Sequence, residues 1–388
     1  MVLLSRFVAT RPPYWMSQAH SLEWLARAHA QAEAAITGLD SAGREAFADK
    51  IARLLSRVAY SPAYIGTRAS VLPDFTRRDR GDQGTPRLYD NPGEAGVKRG
   101  TPYGPGATTR SQLYASVVDA YFASEYNEHS TERDAPDDLI HVTCTGYVSP
   151  SGAQKVVAAR GWGARTRVTH AYHMGCYAAL SAVRIAAGFV ANASRRVDIV
   201  HTELCSLHLD LADHRLEQLI VQSLFADGMI RYSLTAGDDG PGLRLIAACE
   251  MVLPDSADAM RWVVSEGGMQ MALARDVSEL IAPVLRGIIG ELYRRAGLGV
   301  DAVKRSVFAV HPGGPRIIDA VREVLELDAA QVRTSKSVLF DHGNMSSATL
   351  PHIWMRLLGD PQVPSGTLIP SLAFGPGLTI CSALLEKR

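Results

Sequence analysis

A chain of 388 residues with 47% hydrophobic and 21% charged side chains can bury a large core, as two domains or one two-lobed body. Its 40 basic and 40 acidic residues cancel, which argues against nucleic acid or another polyanion as partner. Five scattered cysteines (Cys144, Cys176, Cys205, Cys249, Cys381) form neither a disulfide framework nor a metal-binding spacing, and no apolar run is long enough for a signal peptide or membrane span, so a cytoplasmic protein is expected.

Residues 1–10 read as a strand, stopped by Arg11-Pro12-Pro13. The spacing of Leu22, Leu25, Ala26, Ala32 and Ile36 predicts a helix over Ser17–Ile36, with His29 the polar residue on its apolar face. A second helix is predicted from Ser41 to Val58. There Lys50, Arg53 and Arg57 share one face, which is either a solvated surface or a place for phosphate. Val71–Thr109, rich in Gly, Pro, Asp and Arg, reads as a long surface loop bordering an entrance. A helix with Leu113, Val117, Ala120 and Tyr121 on one side follows it.

From Asp138 the texture changes. The runs DDLIHVTCTG, ARTRVTHAYH and RRVDIVHTELCSLHL each read as buried strands, and Met229–Leu234 and Leu243–Leu253 add two more. Strands alternating with helices predict βαβ units and a mostly parallel sheet. The turn cluster Gly237–Gly242 is a candidate seam between halves 1–240 and 241–388. Beyond it come a helix over Asp276–Ala296, a strand–loop–helix unit from Ser306 to Leu327, the segment Val338–Leu358 and a closing hairpin-like pair.

Four places have residue choices that packing does not explain. Between Arg167 and Val190, alternating Val168, His170 and Tyr172 turn at Met174-Gly175 into a helix that is apolar nearly all round. Cys176 falls at its first turn, where free N–H groups and the helix dipole favour a thiolate; a packed core cysteine is the plainer reading. A second strand ends at His311, followed by Pro312-Gly313-Gly314-Pro315, and Asp341–Ser347 opens another helix with Asn344 at its centre. Ala373–Gly377 forms a tight bend without large side chains beyond Phe374. A Cys, a His and an Asn at turn positions serve two reaction classes: hydrolysis through an acyl-enzyme, and carbon–carbon condensation of thioesters.

HMGCYAALSAVRIAAG around Cys176, VHPGGPRIIDAV around His311, DHGNMSSATL around Asn344 and AFGPGLT near the C-terminus resemble the signature blocks of the type III polyketide synthases, the chalcone/stilbene synthase family. DDLIHVTCTGYVSPSG and LIVQSLFADG match further blocks, and the resemblance spans roughly Thr108–Lys387. It implies an α/β, thiolase-like αβαβα layered fold of two similar halves. Cys176 would carry the acyl chain, and His311 and Asn344 would hold the thioester carbonyl of a malonyl extender. His311 would also pair with Cys176 as imidazolium and thiolate. Phe225 would gate the passage to a cavity lined by Cys144, Cys205, His208, Met269, Met271 and Ser346 and shaped by Gly375 and Pro376. Lys50, Arg53, Arg57 and Gly313 are the candidates for holding a pantetheine or coenzyme A arm.

The chain also departs from the family. Methionines occupy the Gly267–Met271 run where plant members carry a second gating aromatic, and Cys205, His208 and Trp262 replace small residues. These choices imply a bacterial-type member with an aliphatic starter, since flexible methionines suit an acyl chain. Ala59–Thr67 lacks Lys and Arg, leaving Lys50, Arg53, Arg57 and Arg68 as the nearby cations. The expected enzyme is a homodimer with no metal and no cofactor beyond its substrates, which are acyl and malonyl thioesters of coenzyme A or of an acyl carrier protein. It would release an α-pyrone or a resorcinol. The alternatives are a stand-alone ketosynthase joining two carrier-bound β-ketoacyl chains, a non-catalytic ketosynthase-like partner subunit, and a Cys–His–Asn hydrolase.

Overall fold

The computed structural model describes residues 1–75, 88–89, 105–127, 135–237, 240–265, 267–274 and 276–388. Most of the expected 71–109 loop lies outside the described residues. Strand β1 (Val2–Thr10) and β2 (Tyr14–Ser17) lead into helices α1 (Gln18–Thr37) and α2 (Ser41–Val58), then β3 (Thr67–Ser70). Ser17 and Asp40 cap the two helices through their side chains, and Gly38 ends α1 in the left-handed region. The first half continues with α3 (Ala107–Glu125), β4 (Asp138–Thr143), α4 (Gly152–Ala159), β5 (Arg167–Tyr172), α5 (Ala178–Ala191), β6 (Arg196–Leu204), α6 (Leu216–Leu224) and β7 (Asp227–Ala236). The second half holds β8 (Leu243–Val252), β9 (Met260–Ser265), β10 (Gly268–Leu273), α7 (Val277–Arg295), β11 (Ala309–Val310), α8 (Pro315–Val324), α9 (Arg333–His342), α10 (Thr349–Gly359), β12 (Leu368–Gly375) and β13 (Thr379–Lys387).

Nine strands run in the order β11-β12-β13-β8-β1-β7-β6-β4-β5. The sheet is mixed, not mostly parallel: β4–β5, β4–β6 and β11–β12 are parallel, and the other five pairings are antiparallel. Alternation of strands and helices did not reveal this, because β6–α6–β7 and the β12–β13 hairpin each return the chain beside its own previous strand. The halves meet at β1–β8, where only Val2–Leu4 pair with Leu243–Leu245.

The central helices explain the run of small apolar residues after Cys176. Helix α5 touches β4, β6 and β7 of the first half and β13 of the second, so its first six residues are all buried and only a stripe through Arg184, Gly188 and Ala191 is exposed. Trp354 of α10, fully buried, packs edge-on against Tyr232 of β7 and donates its indole N–H to Ser371 of β12 at 2.8 Å. One side chain thus ties the halves together, and truncating such a residue typically costs about 3–5 kcal/mol. Among the described residues no helix is long and apolar enough to cross a membrane.

Candidate active site

The nucleophile turn depends on two glycines. After β5, Gly175 takes φ +73°, and a Cβ there would lie 2.6 Å from Cδ of Pro376. A Cβ on Gly375 would lie 2.3 Å from the ring of Tyr177. The bend between β12 and β13 therefore packs directly on the turn holding Cys176, at a distance that side chains would forbid. Cys176 stands in a short 3-10 turn just before α5, is 5% exposed, and has its Sγ 3.9 Å from Oγ of Ser346. Burial pushes its thiol up to about 12, although the Ser346 hydroxyl beside it acts the other way. The helix tip alone suggested a thiolate; loss of water outweighs the dipole here.

His311 follows β11 and is anchored by its own N–H on the Leu372 carbonyl at 2.8 Å. Its ring is fully buried, both ring nitrogens lack a protein partner, and burial lowers the imidazole to about 3. No hydrogen bond joins it to Cys176, and burial acts on both groups against the thiolate–imidazolium pair that the resemblance implies. Asn344 follows Gly343, whose φ of +71° brings the chain against the stem of Arg68. Its Oδ1 accepts the Ser346 N–H at 2.8 Å and the Thr349 hydroxyl at 3.4 Å, which assigns the other end of the amide as Nδ2. That Nδ2 is buried and has no protein acceptor. Two buried hydrogen-bonding groups without protein partners are costly unless a substrate oxygen uses them.

Two cavities meet at Cys176 and Phe225, which line both. The inner one, about 40 Å³, is lined by Cys144, Cys205, His208, Met269, Met271, Ser346 and Pro376, as expected, and by Met260 and Trp262. Gly375, expected beside Pro376, does not line it and packs on the Tyr177 ring instead. The outer channel, about 550 Å³, takes in Asn344, Gly313, Arg57, Tyr60, Tyr64 and Arg316. Lys50 and Arg53 are exposed on α2 and line neither cavity; the Lys50 ammonium lies 5.2 Å from the Phe47 ring centroid. Arg316 and Tyr60 escaped the sequence reading, since nothing local distinguishes them from surface residues.

The inner wall has its own polar order. Glu203, fully buried on β6, accepts the Cys144 N–H and the Thr145 hydroxyl at 3.1 Å each and a short bond from Ser347. Burial pushes its carboxyl up. Cys144 Sγ lies 3.4 Å from that carboxylate and 3.1 Å from Ser346 Oγ, so a polar chain leads from Glu203 to the nucleophile. A carboxylate in a strand that is buried almost throughout was the available signal. His208 donates from Nε2 to the Thr145 carbonyl at 2.7 Å and accepts the Met269 N–H at Nδ1, and burial lowers it to about 4. The ribbon β9–β10 places Met260 and Trp262, then Met269 and Met271, on the cavity by period-2 alternation.

Residues 244–387 match the family described as chalcone and stilbene synthases, C-terminal domain. Over 283 residues the chain is 30% identical to a 1,3,6,8-tetrahydroxynaphthalene synthase of Streptomyces coelicolor, covering 71% of this chain and 74% of that protein. The chain belongs to the type III polyketide synthases. Solved structures of such synthases share its thiolase-like fold. PKS-I of the brown alga Ectocarpus siliculosus superposes with a TM-score of 0.79 at 21% identity, over 100% of this chain and 98% of that one. The tetrahydroxynaphthalene synthase of Streptomyces coelicolor gives 0.76 at 23%, over 100% and 99%. This type III polyketide synthase is therefore a condensing enzyme of the acyltransferase class.

Proposed function

We propose that Cys176, His311 and Asn344 carry out decarboxylative Claisen condensation of an aliphatic acyl thioester with malonyl units, releasing an α-pyrone or resorcinol. The observation that carries this reading is Asn344 Nδ2, a buried donor without a protein partner in the wall of the channel that Cys176 and Phe225 also line; the His311 ring, buried and equally unpartnered, lines neither cavity and takes its role from the motif resemblance. The Cys176 sulfur attacks the starter thioester and expels the pantetheine thiol. Cleavage of the malonyl carboxylate then sends an electron pair onto the thioester carbonyl as carbon dioxide leaves. Asn344 and His311 stabilise that enolate oxygen, a contribution of about 2.7–4 kcal/mol per donor in comparable sites. The enolate carbon attacks the acyl-Cys176 carbonyl, forming the new bond and releasing the thiolate.

Met260, Met269 and Met271 support an acyl chain in the inner cavity, and its 40 Å³ supports a short one. A second reading, a compact polyhydroxylated aromatic like that in the relative's name, is favoured by the polar wall of Cys144, His208 and Ser346. Incubation with a panel of acyl thioesters plus malonyl thioester separates them by product mass: an alkylated product favours the first, a product from malonyl units alone the second. No extension with any starter overturns both.

The arm that delivers the chain enters past Arg57 and Arg316. Lys50 and Arg53 continue this positive surface along α2, outside the channel. That arrangement supports a carrier protein as donor, with free coenzyme A thioesters the alternative. A homodimer in the cytoplasm is part of the proposal; the dimer is supported by β5, which lies at the end of the sheet with one edge unpaired among the described residues.

A further inference from the structure

Consecutive residues Asn344 and Met345 line different cavities. Asn344 lines the substrate channel, and Met345 lines a separate space of about 110 Å³ whose polar wall is Thr10, Arg11, His342, His352 and Arg356. Among the described residues no carboxylate lines that space, and Glu125, which accepts the Thr10 hydroxyl at 3.0 Å, is itself paired with Arg231 at 2.6 Å. Asp341 lies beside it and holds Nη1 of Arg356 at 2.6 Å together with Ser337 at 2.9 Å, so the net positive charge comes from Arg11. The Arg11 guanidinium lies 5.2 Å from the Trp15 ring centroid, and among the described residues it has no ion pair.

The hydrogen bonds dictate which ring nitrogens are free. Nη2 of Arg356 donates to Nε2 of His342 at 3.3 Å, so His342 carries its proton on Nδ1. Nδ1 of His352 donates to the Ala348 carbonyl at 2.7 Å, so its Nε2 is a bare acceptor. Among the described residues neither His342 Nδ1 nor His352 Nε2 has a partner, and His352 is only 6% exposed. Burial, with Arg356 nearby, holds both rings neutral, at about 4 for His342 and about 3 for His352. The wall therefore offers one N–H donor, one acceptor and a cation around a small space.

We propose that this cavity binds a small oxyanion bearing one hydroxyl, such as monohydrogen phosphate or bicarbonate. The hydroxyl donates to His352 Nε2, and the anionic oxygens accept from His342 Nδ1 and the Arg11 guanidinium. At roughly 10–15 Å³ per water-sized position, the space holds an ion of a few heavy atoms. A bound ion braces the segment His342–Met345, and with it Asn344.

The test is calorimetric titration of the full chain with phosphate, bicarbonate and sulfate at fixed ionic strength. Sulfate at neutral pH has the charge and shape of phosphate without the hydroxyl. Saturable binding of phosphate or bicarbonate is expected, with sulfate at least about tenfold weaker, and which of the two binds tighter identifies the ion. Arg11→Ala, a surface change, weakens binding about tenfold, and His352→Phe abolishes the preference over sulfate. Arg57→Ala, at the channel mouth, leaves binding unchanged. Equal binding of sulfate, no saturable binding, or dependence on Arg57 in place of Arg11 overturns the proposal.

Discussion

Phe225 and Asn344 are joined through their main chains. The Asn344 N–H donates to the Leu224 carbonyl at 3.0 Å, and the Ala226 N–H donates to the Asn344 carbonyl at 2.8 Å. The aromatic wall between the cavities and the amide proposed to stabilise the enolate are thus one backbone unit, placed without help from the Phe225 ring. Phe225→Ala is therefore expected to keep malonyl decarboxylation within a few-fold of wild type while broadening the range of accepted starters. Parallel assays of carbon dioxide release and product mass check this; loss of decarboxylation in the folded variant would show that the ring, and not the bridge, positions Asn344.

Asn344→Ala should separate the two half-reactions. Only the enolate step needs the amide, so decarboxylation is expected to fall about 10²–10³-fold while Cys176 still takes up the starter. Intact-protein mass spectrometry after acyl thioester addition reads the loading. Equal loss of both in a folded variant rejects the division of roles, and an adduct on Cys144 or Cys205 rejects Cys176.

The raised thiol of Cys176 gives a pH signature. With the thiol pushed up to about 12, iodoacetamide labelling of Cys176 should rise about tenfold per unit between pH 7 and pH 9. A resting thiolate–imidazolium pair would instead give a rate already level near pH 6.

Lys50 and Arg53 lie outside the channel, so a free coenzyme A thioester should not sense them, whereas a docked acidic carrier protein would. Charge reversal by Lys50→Glu with Arg53→Glu is expected to lower kcat/KM for the carrier-bound starter at least about tenfold and to leave the coenzyme A thioester unchanged. If the wild type uses both handles equally well and the variant affects neither, the carrier reading fails and the condensing activity still stands.

Acid should destabilise the fold early. His141, His201, His311 and His352 titrate near 3, and His29, His208 and His342 near 4, all lowered first by burial. A lowered folded-state value leaves stability intact above the unfolded value of about 6.5 and removes it as pH falls toward 3–4, by about 1.4 kcal/mol per unit per histidine. Asp227, raised to about 6, and Glu203, also raised, work the other way as they take up protons, but they are outnumbered. Thermal melts should show the midpoint falling from about pH 6.5 downward; a flat midpoint to pH 4.5 would contradict it.

The nucleophile turn, the His311 loop and the FGPG bend were legible in the sequence because each is local. A strand period of two, a glycine at the turn and an apolar helix lie within about twenty consecutive residues around Cys176, and the order of the motif blocks identified the family. The charge state of the site was not legible. Whether Cys176 and His311 are ionised depends on how much water the rest of the chain excludes, and desolvation is a sum over distant contacts. The same holds for position relative to the channel. Lys50, Arg53 and Arg57 share a helical face by spacing alone, yet only the packing of α2 against α1 and α6 decides that Arg57 meets the channel, with Arg316 of α8, while the other two face solvent. The groups around the 110 Å³ cavity come from residues 9–12, Gly228 and the 342–356 stretch, brought together by folding. Local pattern determines an element and its buried face; which elements then face one another, and what dielectric they enclose, is decided only by the long-range contacts of the finished fold.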